Sequence, residues 1–113
     1  MKKVEAIIRT EKLDDVKNAL AQAGFIGLNT IAIIGRGRQR GIAYTARGET
    51  SYTVDMLPKT KLEVVAHDSD VERVVQTILQ AARTASVGDG KIFITPVEEV
   101  IRVRTGERGK NAL

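Results

Sequence analysis

Four clusters in this chain have residue types and spacings that could do chemistry. In Gly35-Arg36-Gly37-Arg38-Gln39-Arg40-Gly41, glycines alternate with cations. Glycine lets backbone N–H groups come close to phosphate oxygens, and guanidinium groups bind those oxygens bidentately. Gly88-Asp89-Gly90-Lys91 places a lysine after a tight-turn sequence, within reach of a polyphosphate, without the GxxxxGK[ST] spacing of a Walker A loop. Arg102 and Arg104 share a face if they lie on a strand, and two like charges there call for an anion between them. Lys59, Lys61 and Glu63, after Pro58, also share a face if their strand begins early enough. Each cluster alone has an ordinary explanation: a flexible basic loop, a common Asp-Gly turn, a solvated charged face, surface charge beside a turn. Together they supply two glycine turns and several cations. The only aromatics are Phe25, Tyr44, Tyr52 and Phe93, and they form no stacking platform. That balance favours a nucleoside polyphosphate over a nucleic acid.

Charge and composition narrow the chemistry further. The 113 residues carry 18 Lys+Arg against 14 Asp+Glu. Residues 36–47 hold Arg36, Arg38, Arg40 and Arg47 and no acid, so the remaining 101 residues balance at 14 against 14. The whole excess of +4 therefore sits in one Gly/Arg-rich stretch. With no cysteine there is neither a disulfide framework nor a thiolate metal site. A single histidine, His67, argues against a Ser-His-Asp arrangement or a multi-histidine metal centre. No apolar run approaches a bilayer span, and Met1-Lys2-Lys3-Val4-Glu5 does not read as a signal peptide, so the expected compartment is cytoplasmic.

The elements that must position these residues repeat. Lys3 to Arg9 alternates as a strand. Glu11 to Ala23 follows as a helix, with Leu13, Val16, Leu20 and Ala23 at helical spacing and Gly24 placed to end it. Thr30 to Ile34 is a short apolar strand. The second unit has a strand over Lys61 to Ala66, then a helix bearing Val71, Val74, Val75, Ile78, Leu79 and Ala82 on one face. Ser69-Asp70-Val71-Glu72 has capping-box spacing at its start. Lys91 to Thr95 is a further strand, and Val97 to Arg104 is expected to continue it in extended form after Pro96. The polar tail, Thr105 to Leu113, is expected to be only partly ordered. The order β-α-β–β-α-β predicts a ferredoxin-like α+β sandwich in a single domain, residues 1–113. Two helices cover one sheet face, yet Ile7, Ile31, Ile33 and Val65 lie opposite the other apolar set. That predicts a homo-oligomer with its sheets packed inward. Gly35 to Pro58, between the units, lacks sustained periodicity. It reads as a long partner-contacting loop or an extended hairpin with Thr53 to Leu57 returning.

These residues resemble the PII family of nitrogen-regulatory signal-transduction proteins. The most specific segment is Thr84-Ala85-Ser86-Val87-Gly88-Asp89-Gly90-Lys91-Ile92-Phe93-Ile94. Gly35-x-Gly37-Arg38-Gln39, Leu57-Pro58-Lys59-x-Lys61-x-Glu63 and Arg102-Val103-Arg104-Thr105-Gly106 are similarly close. The resemblance implies a homotrimer whose subunits each extend a T-loop, here about residues 36–55. It implies ATP or ADP in the clefts between subunits, with 2-oxoglutarate beside Mg-ATP. Carried over by position, Gly37, Arg38, Gly88, Gly90, Lys91, Arg102 and Arg104 match phosphate-binding residues, and Gly35 and Asp89 go with them. Thr30, Glu63 and Val64 fall near the nucleoside. Gln39 matches the residue that coordinates Mg2+. Lys59 matches the lysine that pairs with 2-oxoglutarate, with Gln39, Arg40 and Gly41 completing that pocket.

In the T-loop, Tyr52 matches the hydroxyl modified by uridylylation or adenylylation, and Thr50 or Ser51 the phosphorylated serine of some members. The context departs from the family's Tyr-Arg-Gly-Ala-Glu-Tyr: Ala46 replaces the first tyrosine, and one extra residue precedes Tyr52. Arg47 looks like the loop-tip arginine that enters ammonium channels. The resemblance thus implies a regulator, not an enzyme, that acts on an ammonium transporter, glutamine synthetase or a nitrogenase-related protein. It would meet a membrane only peripherally, through a transporter. Two other classes fit parts of the pattern. A small phosphohydrolase or ATPase would use Lys59, Glu63 and the arginines, but no convincing general base or nucleophile is present. A nucleic-acid module would use the basic loop.

Overall fold

The computed structural model describes residues 1–38 and 55–113 in full, and the backbone of 42–45 and 51–54. Gln39, Arg40, Gly41, Arg47 and Thr50 lie outside the described residues, as do the side chains of Ser51 and Tyr52. The chain forms β1 (Lys2–Ile8), α1 (Leu13–Gln22), β2 (Asn29–Gly35), β3 (Ile42–Thr45), β4 (Ser51–Val54), β5 (Leu57–Ala66), α2 (Val71–Ala82) and β6 (Lys91–Pro96). Strands β2-β5-β1-β6 make one sheet, in that order. Every neighbouring pair in it is antiparallel. This is the ferredoxin-like arrangement expected from the repeat.

Period-2 patterning decides which face is covered. Val4, Ala6 and Ile8 of β1 pair in register with Val64, Leu62 and Thr60 of β5, so all point to the same side. Val16 and Leu20 of α1 and Val74 and Ile78 of α2 pack onto them, all at most 1% exposed. Gly24 ends α1 as the spacing predicts. Its φ of +96° lets its N–H reach the Ala21 carbonyl while Phe25 N–H reaches Leu20, a full Schellman closure. That turn delivers Phe25 against the core, with the Arg73 guanidinium 4.6 Å from its ring centroid.

The opposite sheet face differs from expectation. Its centre is charged: Lys61 Nζ lies 3.5 Å from Glu5 and 4.0 Å from Glu63, and Lys3 Nζ lies 3.9 Å from Glu63. Apolar residues remain around this lattice, with Ile31 and Phe93 about half exposed. The face is therefore mixed, not uniformly apolar.

Other boundaries shift for identifiable reasons. The α2 capping box does not form. Asp68–Asp70 make a 3-10 turn first, Asp70 becomes the N-cap without a side-chain capping bond, and its carboxylate accepts from Arg73 at 3.2 Å instead. The strand predicted from Lys61 starts at Leu57, because Leu57 to Lys59 pair with Gly35 to Ile33 of β2. Pro58 is tolerated there, since β1 has already ended opposite Thr60 and β5 has a neighbour on one side only. The long inter-unit segment contains a separate hairpin, Ile42↔Val54 through Thr45↔Ser51. After Pro96 the chain leaves the sheet, with a single bridge, Ile101↔Arg108, where strand had been expected. The tail is tied down as well: it ends in a 3-10 turn, Gly109–Ala112, that buries Ala112.

Leu62 is fully buried at the centre of this layer. Leu62→Ala is expected to destabilise the fold by about 2–5 kcal/mol, measured as the shift in urea-unfolding midpoint at unchanged slope.

Candidate ligand-binding site

A cavity of about 450 Å³ lies at the end of the sheet where β2 and β5 run past β1. Gly35, Gly37 and Arg38 reach it from the end of β2, Lys59 from β5, and Gly88, Asp89, Gly90 and Lys91 from the turn into β6. Ile7, Ile33, Leu57 and Phe93 supply its apolar lining. Four cations, Arg36, Arg38, Lys59 and Lys91, line it against two carboxylates, Asp55 and Asp89. Both carboxylates are engaged: Asp55 with Arg36 at 3.1 Å, and Asp89 with Arg9 at 3.0 Å. Lys59 Nζ donates to the Gly88 carbonyl at 2.6 Å. Its pKa is lowered by burial first and by Arg9 second, against the opposing pull of Glu11 and Asp89. Arg38 and Lys91 have no ion-pair partner among the described residues. Two such cations in one partly apolar cavity repel, and an anionic ligand between them relieves the repulsion.

The turn that presents Lys91 is built around the Asp89 carboxylate. It accepts from the Thr84 hydroxyl, from Thr84 N–H at 2.7 Å, from Ala85 N–H at 2.9 Å and from Arg9 Nε. The Thr84 hydroxyl, with these backbone donors and Arg9, holds Asp89 far below the usual carboxylate range. Arg9 Nη2 also donates to the Val87 carbonyl at 2.9 Å. Gly90 has φ of +101°, and a Cβ there would lie 1.6 Å from the Ile7 carbonyl oxygen. Only glycine lets the turn come so close to β1. The sequence flagged Asp89 and Gly90. Arg9 and Thr84 escaped it because an arginine at a strand end and a threonine after a helix carry no local signal, and Arg9 lies 80 residues from its partner.

Among the described residues, the remaining expected ligand residues do not line this cavity. Thr30 lies toward the other end of β2, about 17 Å along the strand from Gly35 at ordinary strand rise. Glu63 belongs to the charged lattice on the open face. Val64 is 2% exposed, with its side chain in the core beneath the helices. Arg102 and Arg104 do not sit on a strand, so the shared-face argument fails. Arg102 donates to Glu107 at 3.1 Å and to the Asn111 carbonyl at 2.9 Å, while Arg104 is exposed in the turn that follows. Among the described residues no group of three His, Cys, Asp or Glu could hold a metal ion.

Asp89→Asn removes the charge from this hub and is expected to cost about 1–3 kcal/mol. Because the folded-state pKa of Asp89 is depressed, its contribution is fully present above the ordinary carboxylate pKa of about 4 and fades as pH falls below it. Acid-unfolding curves of the wild type should therefore show a component between about pH 4 and strongly acidic conditions that Asp89→Asn lacks.

The family model described as nitrogen regulatory protein P-II matches residues 1–107. The chain is 55% identical over 113 residues to nitrogen regulatory protein P-II 2 of Methanothermobacter thermautotrophicus, covering all of this chain and 97% of that protein. It is 55% identical to nitrogen regulatory protein P-II of Azospirillum brasilense and 54% to that of Nostoc punctiforme, with full coverage of both chains in each case. This chain belongs to the P-II family of nitrogen regulatory proteins, which are signalling regulators and not enzymes.

Proposed function

We propose that the cavity binds ATP or ADP, and that its occupancy sets how the segment between the two units meets target proteins of nitrogen metabolism. The observation that carries this reading is the pair Arg38 and Lys91, two cations with no carboxylate partner among the described residues, in a cavity also lined by Gly37, Gly88 and Gly90. Glycines beside cations are what a polyphosphate needs, since both backbone donors and charge reach its oxygens. The apolar wall of Ile7, Ile33 and Phe93 suits a nucleoside. Lys59 is the cation for a dicarboxylate such as 2-oxoglutarate. A magnesium ion would be held by the phosphates and by Gln39. The tie between ligand and partner is positional: Gly37 and Arg38 follow β2, and the β3–β4 hairpin begins at Ile42.

A homotrimer completes the reading. Thr30, Glu63, Arg102 and Arg104 lie off the cavity of their own chain. A neighbouring copy, packed through the mixed sheet face, would bring a second set of these residues to each cavity. Tyr52, Thr50 and Ser51 are the hydroxyls available for covalent control, and Arg47 is the contact for a channel-type partner. No helix of the described residues is long and apolar enough to cross a membrane. A cytoplasmic regulator that meets a transporter at the membrane surface is consistent with that.

Titration calorimetry is expected to show ATP binding, with 2-oxoglutarate binding only when Mg-ATP is present. No heat with ATP overturns the nucleotide reading, and 2-oxoglutarate binding that ignores Mg-ATP overturns its carbon-sensing half. Sedimentation should give three times the chain mass of 12.3 kDa; a monomer at micromolar concentration removes the shared-site model.

A further inference from the structure

Arg36 has no place in the reading so far, yet it lines the same cavity as Arg38, Lys59 and Lys91. Its Nη1 donates to Asp55 Oδ2 at 3.1 Å, and Asp55 lines the cavity too. The pair is well exposed, 64% for Arg36 and 53% for Asp55. An exposed ion pair favours its partners by a factor of only about five at most. A guanidinium held this weakly is open to exchange. A polyphosphate beside it offers several anionic oxygens in bidentate geometry, a stronger acceptor than one carboxylate oxygen.

The position of the pair gives the exchange a consequence. Arg36 directly follows β2, and Asp55 directly follows β4, two residues before β5. The ion pair therefore joins the two chain segments that enter and leave the β3–β4 hairpin. Moving the guanidinium to a ligand removes that join.

We propose that Arg36 is a further anion-binding residue of this cavity and that Asp55 is its built-in competitor, so that a polyphosphate is bound at the expense of the tie across the hairpin base. The proposal rests on the nucleotide reading for the ligand's identity, but the competition itself needs only a polyanion. Asp55 lowers affinity for every anion that uses Arg36.

The test compares wild type, Asp55→Asn, Arg36→Gln and the double variant by titration calorimetry against ATP and, separately, against inorganic tripolyphosphate. Asp55→Asn should tighten binding about 2–5-fold, because the competitor is removed while the cation stays. Arg36→Gln should weaken it about 3–10-fold. The double variant should match Arg36→Gln, since Asp55 acts only through Arg36. Tightening on loss of a carboxylate is not what a damaged fold produces, and thermal unfolding of all four proteins should agree closely. Asp55→Asn that weakens or leaves binding unchanged overturns the proposal, as does Arg36→Gln that binds like wild type. If tripolyphosphate follows the expected pattern but ATP does not bind, the nucleotide reading fails and the competition stands. If ATP binds equally to all four proteins, the reverse holds. If neither anion binds the wild type, both fail.

Discussion

The site depends on one contact between the sheet and the turn that enters its last strand. The Asp89 carboxylate gathers the Thr84 hydroxyl, two backbone N–H groups and the Arg9 guanidinium, and Arg9 reaches on to the Val87 carbonyl. Arg9 directly follows β1, the strand that lies between β5 and β6 in the middle of the sheet. The turn is thereby fixed to the most securely packed part of the molecule, and Gly90 closes the remaining distance to Ile7. Lys91 begins β6 as a consequence, with its main chain held in register against Ile7. The main chain beneath Lys91 is thereby preorganised, while its exposed side chain still has rotamer freedom to lose when an anion arrives.

Electrostatic organisation extends beyond the turn. The balance of charges outside residues 36–47 takes spatial form in the lattice of Lys3, Glu5, Lys61 and Glu63 across the open sheet face, and in pairs such as Arg102 with Glu107. Most described cations thus have a carboxylate of their own chain nearby. Arg38 and Lys91 lack such a partner among the described residues, as do Arg83, Arg104 and Lys110, but Arg38 and Lys91 line one cavity together.

How much of this was legible in the sequence follows from the range of each interaction. Period-2 and helical patterning gave the strands, the helices and the covered face, because burial acts on every residue of an element at once. Gly24 was readable as a helix end because the αL position it fills is a local demand. The glycine turns of the cavity were readable for the same reason. The capping box at Ser69 failed because a 3-10 turn displaced the helix start, and Asp70 turned to Arg73. Arg102 and Arg104 were read as strand residues from continuity with β6. The chain instead bends around Gly106 and Gly109, both at positive φ, and Glu107 takes up Arg102. Arg9 and Asp55 were invisible because each acquires its role from a partner distant in sequence.

The early start of β5 carries a mechanical meaning. Leu57, Pro58 and Lys59 pair with β2 alone, beyond the point where β1 ends. At that end the four-stranded sheet narrows to a two-stranded ribbon, and the hairpin is joined to this ribbon on both sides. Two-stranded ribbons twist more than wide sheets. The overhang is therefore a fulcrum: a few degrees of rotation between Gly35 and Leu57 are multiplied by the length of the arm beyond it. A small rotation of the ribbon beside the cavity would therefore be enlarged along the β3–β4 hairpin.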